Sequence, residues 1–417
     1  MAQLSDDCFA FGGKLLPVDD AVSMIAARVG PVTETQTVGL TEADGRVLAE
    51  ALLAPLPLPL FTNSAVDGYA LRSSDLPHDA ARAFLVAGRV QAGAPGGTIA
   101  PGTAVRIFTG APMPEGADTV FMQEDVTLDD AGRVVLPAGL RPGANMRPQG
   151  EDMPQGAMAL PRGRRLRPQD VALAAALGMT ALDVRRRIRV AVFSTGDEVV
   201  APGDPRGSAQ LYDSNRFMLI ALLRRLGCEV ADLGILRDER AALSTALADA
   251  AQRHDLVLTS GGVSTGEEDH VKAAVESIGT LVLWRMAIKP GRPVAMGVIS
   301  GTPFIGLPGN PVASFVTFAY VVRPVVLALA GAAPEPLMAL PVRAAFSYRK
   351  KKGRREFVRA HLRIGTDGVR EAVKFPREGA GLLSSLVETD GLVELGEDVE
   401  RVEPGESVGF LPYAVLI

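Results

Sequence analysis

The second half of the chain alternates short apolar runs with longer amphipathic stretches. The runs at 188–193, 229–233, 256–259 and 281–284 predict strands, and the stretches at 214–226, 239–252, 267–278 and 312–329 predict helices. Strands that are apolar throughout, rather than at every second residue, are typical of a parallel sheet covered on both faces. Residues 187–333 are therefore predicted to form a doubly wound α/β domain.

The rest of the chain has a different pattern. Short β-like runs at 84–86, 105–108 and 119–122, separated by Gly and Pro, predict a small β domain over 61–147. Helices are predicted at 18–28, after Thr41 and at 168–177. Beyond 334 the alternating runs at 342–348, 356–364 and 369–375 predict an all-β domain over 334–417, either a barrel or a sandwich.

One long stretch, 293–322, contains no charged residue. It is interrupted by Pro303, Pro308 and Pro311, whereas a lipid-facing helix needs roughly 20 uninterrupted apolar residues. We interpret it as a buried strand, a loop and a core helix, and we expect no membrane association.

Composition narrows the class of protein. The formal net charge of −5 argues against a general nucleic-acid binder. The two cysteines, Cys8 and Cys228, cannot form a disulfide framework or a cysteine zinc site. The N-terminus lacks the basic and apolar regions of a signal peptide, so a reducing, cytoplasmic location is expected.

Two glycine-rich loops follow predicted strands of the α/β domain. Ligands of open parallel sheets bind beyond the carboxyl ends of the strands, and glycine lets backbone N–H groups approach an anion closely. The residues concerned are Ser260, Gly261, Gly262 and Ser264 in the first loop and Gly309, Asn310 and Pro311 in the second. Neither loop is a Walker or a Rossmann motif, so they indicate a phosphate site or, alternatively, plain tight turns.

Charged residues follow the same strands. Glu198, Asp238 and Asp269 end successive strand–loop units, and carboxylates beside a phosphate require a cation, for which Mg²⁺ is the usual choice. The alternative is that each acid caps a helix. Lys289, with Arg285 and Arg292, is a candidate partner of a phosphate or another oxyanion, and the alternative is a solvated basic surface. The four histidines show no ligand spacing.

Taken together, these loops resemble the molybdopterin molybdenumtransferase family, which comprises the bacterial MoeA type and the gephyrin E domain. The matching segments occur in order along nearly the whole chain: 63–70 (NSAVDGYA), 106–112 (RIFTGAP), 194–198 (STGDE), 213–215 (DSN), 260–264 (SGGVS), 266–269 (GEED), 287–291 (AIKPG) and 306–312 (GLPGNPV). Several are weak individually, but the ordered set is specific.

The resemblance implies four parts: an extended N-terminal helical domain (1–60 and 148–186), an inserted small β domain (61–147), an α/β molybdopterin-binding domain (187–333) and a C-terminal β-barrel (334–417). It also implies a homodimer whose cleft lies between the α/β and barrel domains of one subunit and the inserted domain of the other. The implied partners are small molecules, with molybdopterin adenylyltransferase and molybdenum-enzyme chaperones as candidate protein partners.

The implied reaction hydrolyses adenylyl-molybdopterin with Mg²⁺ and places molybdate on the dithiolene, giving molybdenum cofactor and AMP. The resemblance assigns acidic cleft roles to Asp269, Asp238 and Glu198, with Asp269 and Glu198 as metal ligands. Lys289 corresponds to a binder of molybdate or of the pterin phosphate, and Arg359 to an oxyanion clamp. Asp67 and Thr109 correspond to cleft residues supplied by the other subunit.

The chain departs from the family pattern at four positions. Arg285 and Arg292 stand where lysine is usual, and Ala313 and Ala380 stand where a hydroxyl is usual. These differences leave a specialised or impaired enzyme as an alternative, beside a non-catalytic pterin-nucleotide-binding scaffold and a molybdopterin adenylyltransferase. An adenylyltransferase needs little beyond the α/β domain, which makes it the weaker alternative for this long chain.

Overall fold

A computed structural model describes residues 4–6, 8–9, 15–237, 239–262 and 270–416. Three residues singled out by the sequence, Asp238, Ser264 and Asp269, lie outside the described residues.

The α/β domain has a mixed six-stranded sheet. In spatial order its strands are Glu229–Ile235, Arg189–Ser194, Leu256–Ser260, Thr302–Leu307, Pro293–Ile299 and Gly279–Arg285. The first four are parallel, and Pro293–Ile299 is antiparallel to both of its neighbours. The prediction of a doubly wound α/β domain is confirmed, with one reversed strand added to it.

The sequence predicted a single strand between 293 and 322, whereas the structure has two. Ile299 pairs with Thr302, so a two-residue hairpin turn joins them. Ser300 (φ 50°) and Gly301 (φ 84°) in that turn are both left-handed, which matches the twist of antiparallel strands. The Ser-Gly pair was the available signal for this turn.

Helices cover both faces of the sheet. Alternate residues of one strand separate the two cores: Val190 and Val192 pack with the first, Ala191 and Phe193 with the second. The first core includes the helices Val18–Arg28, Asn215–Arg225 and Pro311–Thr317 with its continuation through Phe318–Val322 to Arg323–Leu329; the second includes Arg240–Arg253 and His270–Ile278.

The continuous helical segment Pro311–Leu329 is the one described helix that is long and apolar enough to cross a membrane. Its most apolar stretch is 89% buried within the protein. Burial of this kind is what the central helix of an α/β core requires, and it agrees with the prediction of a core helix.

The N-terminal segments form small paired strands. Thr35–Gly39 pairs with Ala181–Arg185, and Leu52–Leu53 pairs with Met158–Leu160, beside the helix Pro168–Ala176. The helix predicted after Thr41 is wrong, because only the short 3₁₀ turn Leu40–Glu42 forms. The backbone beyond it bonds across the domain instead, with the N–H of Leu48 donating to the carbonyl of Arg164.

Within 61–147 a six-stranded sheet forms, as the short β-like runs predicted. In spatial order its strands are Thr119–Met122, Gly68–Leu71, Thr103–Ile107, Arg82–Val90, Val134–Leu136 and Thr127–Leu128. Minor described elements are the strand pairs Asn63–Ser64 with Met146–Arg147, Val199–Val200 with Leu211–Tyr212 and Tyr348–Arg349 with Arg401–Val402, the helix Ser384–Val387, and the 3₁₀ turns Ser73–Asp75, Gln123–Asp125 and Tyr413–Val415.

The C-terminal domain is a closed barrel, which decides between the two predicted alternatives. Arg355–Ile364 pairs with both Arg370–Lys374 and Gly391–Leu395, and the circle closes through Leu340–Ala344 and Ser407–Pro412. A short strand from the α/β domain, Ile288–Lys289, extends this sheet by pairing in parallel with Arg355 and Glu356. That pairing ties the two domains together beside Lys289.

A buried ion pair joins the start of the α/β sheet to the preceding segment. Asp255 is fully buried, and its carboxylate accepts bonds of 2.7 and 3.0 Å from the guanidinium of Arg186 and of 2.8 Å from the backbone N–H of Arg189. Burial alone raises the pKa of Asp255, but these bonds outweigh it and leave the pKa below its ordinary value.

We therefore expect Asp255→Asn to lower the free energy of unfolding by roughly 3 kcal/mol at pH 7, because Arg186 loses its buried counter-charge. Since the folded-state pKa is depressed, this stabilisation is present above the unfolded-state pKa of about 4 and is lost as pH falls through the folded-state value. Urea denaturation at pH 7 and pH 3 measures both effects. Asp249→Asn, at an exposed pair with Arg253, is the control. Equal destabilisation by the two substitutions would contradict the expectation.

Candidate functional site

The sheet order brings five strand ends to one edge of the α/β domain. The carboxyl ends Ser194, Ile235, Ser260, Leu307 and Arg285 all lie there, because only Pro293–Ile299 runs in the opposite direction. This is the edge at which open sheets of this kind bind ligands.

The two glycine-rich loops meet at that edge. Gly261 (φ 92°) and Gly262 (φ 65°) are left-handed, and a Cβ on Gly262 would come within 2.7 Å of Thr195 and 2.8 Å of Val271. A Cβ on Gly309 would lie 3.8 Å from Gly261, so the loops are nearly in contact. Glycine is required in the first loop by both its conformation and its close packing.

Asn215 fastens the two loops together. Its side-chain amide donates to the hydroxyl of Ser260 (2.8 Å) and to the carbonyl of Gly309 (2.7 Å). The Ser260 hydroxyl in turn donates to the carbonyl of Pro308 (3.3 Å). Ser260 therefore stabilises the loop through its own bonds, a role that its sequence position did not reveal.

Several polar atoms at this edge have no hydrogen-bond partner among the residues that the structure describes. They are the hydroxyls of Ser194, Thr195 and Thr259 and the side-chain oxygen of Asn215, all buried. Buried polar groups are normally satisfied, so unpaired groups concentrated at one edge are consistent with a site that a ligand or ordered water completes.

A cleft of about 380 Å³ lies beside this edge, between the α/β domain and the barrel. From the α/β side it is lined by Lys289, Asn310 and Ala313 among others, and the opposite wall comes from barrel residues between 348 and 380. Its charged lining side chains are Lys289, Glu356, Arg359, Lys374, Arg377 and Glu378. Of these described lining residues four are cationic and two are acidic, so together they carry a net charge of +2 at neutral pH.

Lys289 is positioned by the strand that joins the two domains. Register pairs it with Glu356, and its ammonium lies 3.2 Å from the carboxylate of Glu356 and 3.4 Å from the hydroxyl of Tyr348. The side chain of Glu356 is 1% exposed and that of Lys289 is 45% exposed. The buried acid therefore holds the lysine while its ammonium faces the cleft.

Arg359 is held in position by hydrogen bonds to other residues of the barrel. Its Nε donates to the hydroxyl of Ser385 (3.0 Å), and one Nη donates to the carbonyl of Gly379 (3.1 Å). Burial lowers the pKa of Arg359 from its ordinary value, but a guanidinium remains charged at neutral pH. A fixed, charged fork that lines a cleft is suited to binding an oxyanion.

Other cationic residues named from the sequence lie elsewhere. Arg285 and Arg292 are exposed and do not line the cleft. Sequence reasoning missed Lys374, Arg377, Tyr348 and Glu378, which belong to barrel segments that only the closed barrel brings opposite Lys289. The one available signal was a glutamate, Glu356, at the start of an apolar strand.

Asp67 and Thr109 form a separate constellation in the inserted domain. One carboxylate oxygen of Asp67 accepts bonds from the backbone N–H and the hydroxyl of Thr109, both 2.8 Å long. These two bonds hold the pKa of Asp67 below its ordinary value and keep the group charged. No described residue of the inserted domain lines the cleft of the same chain.

Two positions that depart from the family pattern face the cleft. Ala313 and Ala380 both line it, and the N–H of Val312 donates to the carbonyl of Ala380 (3.0 Å), which holds the two walls together. Ser314 is fully buried, and its hydroxyl has no hydrogen-bond partner in the described part of the chain. A serine one place later on this helix therefore does not replace a cleft hydroxyl, because one residue turns a helix by about 100°.

The described residues contain no group of three His, Cys, Asp or Glu side chains able to hold a metal ion. Glu198 is exposed, and its carboxylate lies against Gly196, where a Cβ would come within 2.6 Å of it. A carboxylate of this kind can serve as a Mg²⁺ ligand, but the described donors alone do not make a metal site.

An α/β sheet whose carboxyl edge opens into a cationic cleft against a barrel defines a protein that binds anionic ligands between domains. Comparisons with known proteins agree with this class. Residues 16–178 match the MoeA N-terminal region (domain I and II), 191–328 a probable molybdopterin binding domain, and 341–413 the MoeA C-terminal region (domain IV).

The similarity to individual relatives spans the whole chain. Molybdopterin molybdenumtransferase of Haemophilus influenzae is 40% identical over 97% of this chain and 100% of the relative. Molybdopterin molybdenumtransferase 2 of Mycobacterium tuberculosis is 37% identical over 88% of this chain and 93% of the relative. The crystal structure of the molybdopterin biosynthesis MoeA protein of Pyrococcus horikoshii superposes with a TM-score of 0.80 at 29% identity, covering 96% of this chain and 100% of that one. The chain belongs to the molybdopterin molybdenumtransferase family.

Proposed function

We propose that this protein inserts molybdenum during molybdenum cofactor biosynthesis, by hydrolysing adenylyl-molybdopterin and placing molybdate on the dithiolene with release of AMP. The observation that carries the proposal is the interdomain cleft, in which the described charged lining residues carry a net charge of +2. Molybdate is a dianion, so the charges are complementary. The relatives with the same domain order are named molybdopterin molybdenumtransferases, which supports the transferase class.

The roles follow from the geometry of the cleft. Lys289 and Arg359 bind the oxyanion, because hydrogen bonds to the protein hold both side chains in place and both line the cleft. The backbone of Gly261, Gly262 and Gly309 suits the phosphate part of the substrate, next to the cleft-lining residues Pro308 and Asn310. The acidic roles of Asp238 and Asp269 are supported by the sequence, in which both follow strands of this sheet, and by the resemblance.

We further propose that turnover requires Mg²⁺, bound with Glu198 and Asp269. Support comes from the sequence, in which carboxylates end successive strand–loop units beside a phosphate site. A bound Mg²⁺ would offset the charge of the phosphates and polarise the bond that is hydrolysed.

The active protein is proposed to be a homodimer that acts in the cytoplasm. Support for the dimer is the preorganised pair of Asp67 and Thr109, which contributes nothing to the cleft of its own chain. In the dimer that the family resemblance implies, the inserted domain of each subunit lies at the cleft of the other, and two-fold symmetry makes the two clefts equivalent. Support for the location comes from the sequence, whose two cysteines are too few for the disulfide framework of a secreted protein.

The proposal is tested by AMP release from adenylyl-molybdopterin. We expect molybdate to stimulate release and EDTA to abolish it, with full recovery on adding excess Mg²⁺. Cofactor formation is measured in the same samples by reconstitution of a molybdenum enzyme. Tight binding of the substrate without AMP release would instead establish that the protein is a non-catalytic scaffold that binds the pterin nucleotide. AMP release that persists in EDTA would show that the reaction does not need the metal.

A further inference from the structure

Lys374 is a cation of the cleft whose ammonium already pairs with a carboxylate. It ends the barrel strand Arg370–Lys374, lines the cleft, and its ammonium lies 3.0 Å from the carboxylate of Glu378. Its side chain is 22% exposed, whereas that of Glu378 is 64% exposed. The lysine is therefore held in the wall, and the acid lies on the rim, largely in solvent.

Lys374 and Lys289 both contact the same aromatic ring. Both ammoniums lie over the ring of Tyr348, at 5.5 and 5.9 Å from its centroid respectively, within the range of a cation–π contact. The hydroxyl of Tyr348 donates to Glu356 (2.8 Å), the same acid that holds Lys289. Tyr348 therefore contacts both ammoniums, and the buried acid Glu356 holds one of them, that of Lys289.

Glu378 interacts electrostatically with Lys374, Lys289 and Arg359. Its pKa lies below the ordinary value, chiefly through the hydrogen bond and charge of Lys374, with further contributions from Lys289 and Arg359. A carboxylate in that position resembles the ligand that the cleft is suited to bind, namely an anion whose oxygens face the cations. Unlike Glu356, which is buried and also pairs with Arg354 (2.7 Å), Glu378 has no other hydrogen bond among the described residues and can turn into solvent.

We propose that Lys374 is a further oxyanion-binding residue and that the carboxylate of Glu378 is an internal competitor, which occupies Lys374 in the empty cleft and is displaced by the incoming dianion. Displacement leaves Lys374, Lys289 and Arg359 around one tetrahedral oxyanion. The exposed acid also discriminates by charge, because a monoanion gains less from the three cations than a dianion does and displaces the acid less readily. This inference rests on the proposed use of the cleft for molybdate.

The proposal makes two substitutions act in opposite directions. Lys374→Gln removes a binding charge, and we expect the Kd for molybdate to rise about fivefold; Glu378→Gln removes the competitor, and we expect the Kd to fall about threefold, magnitudes typical of partly exposed charge pairs. In the double variant the effect of Glu378→Gln should largely vanish, because there is no lysine left to release. All these effects should shrink in high salt.

Isothermal titration of the full-length protein with sodium molybdate measures these constants without the pterin substrate, and titration with sodium perchlorate, a tetrahedral monoanion, should show weaker binding that Glu378→Gln improves more than it improves molybdate binding. Glu388→Gln, an exposed acid of the same domain outside the cleft, controls for the change in overall charge and should leave the Kd unchanged. A purely structural ion pair would make both substitutions weaken binding or leave it unaltered, and either result overturns the proposal. Because binding is read separately from AMP release, a failure of the proposed reaction would not be mistaken for a failure of this inference.

Discussion

Replacement of Arg359 by methionine is expected to lower kcat/KM for molybdate in molybdate-dependent AMP release by about 100-fold, a loss typical of removing a preorganised charged donor from an active site. The reason is geometric. Ser385 and the carbonyl of Gly379 hold the guanidinium, so its cost of ordering is met before the oxyanion arrives. Methionine fills a similar volume and cannot donate a hydrogen bond.

Arg359→Lys is the informative companion to this variant. It keeps a positive charge but loses the planar fork and the bond to Ser385, so we expect activity between those of the wild type and the methionine variant. Thermal unfolding of both variants checks that the barrel is intact. Activity of the methionine variant within about threefold of wild type would remove Arg359 from the oxyanion site.

Mixing two inactive variants is expected to restore activity, which is the largest effect expected from the dimeric arrangement. Asp67→Ala removes the carboxylate that Thr109 holds in the inserted domain, and Arg359→Met removes the clamp in the barrel. If each cleft uses Arg359 of one subunit and Asp67 of the other, a heterodimer of the two variants contains one intact site. Random pairing then gives about a quarter of the wild-type sites.

The measurement is AMP release after the two variants are coexpressed, or unfolded and refolded together. A mixture of Arg359→Met with Lys289→Met is the matched control, because both changes lie in the same-chain cleft and every dimer then lacks a complete site. Background activity in the first mixture would show that Asp67 and Arg359 act within one subunit, whereas wild-type activity of Asp67→Ala alone would show that Asp67 is not needed.

The architecture of the α/β domain was readable from the sequence. Apolar runs such as 256–259 predict buried parallel strands because a strand covered on both faces has no polar side. The sequence predicted one strand where two antiparallel strands form, because Pro293–Ile299 and its neighbour Thr302–Leu307 are equally apolar. A two-residue turn between two buried strands leaves no change in hydrophobicity to mark the boundary.

For the candidate site, too, the sequence indicated some of the residues and missed others. Local sequence pointed to the glycine loops and to Lys289, because their chemistry is visible in a few adjacent residues, and the resemblance added Arg359, Asp67 and Thr109. Lys374 and Glu378 could not be found in this way. They lie more than eighty residues beyond Lys289 in the chain, Lys374 near the end of a predicted strand and Glu378 just after it, and neither belongs to a local motif.

By itself, then, the sequence determined most of the elements, the family to which the chain belongs and the residue types that carry the chemistry, since these depend on local pattern. Only the tertiary structure decided which charges share a cleft. Closure of the barrel and the parallel pairing of Lys289 with Glu356 bring distant cations together, and electrostatic energy depends on distance in space rather than on separation along the chain.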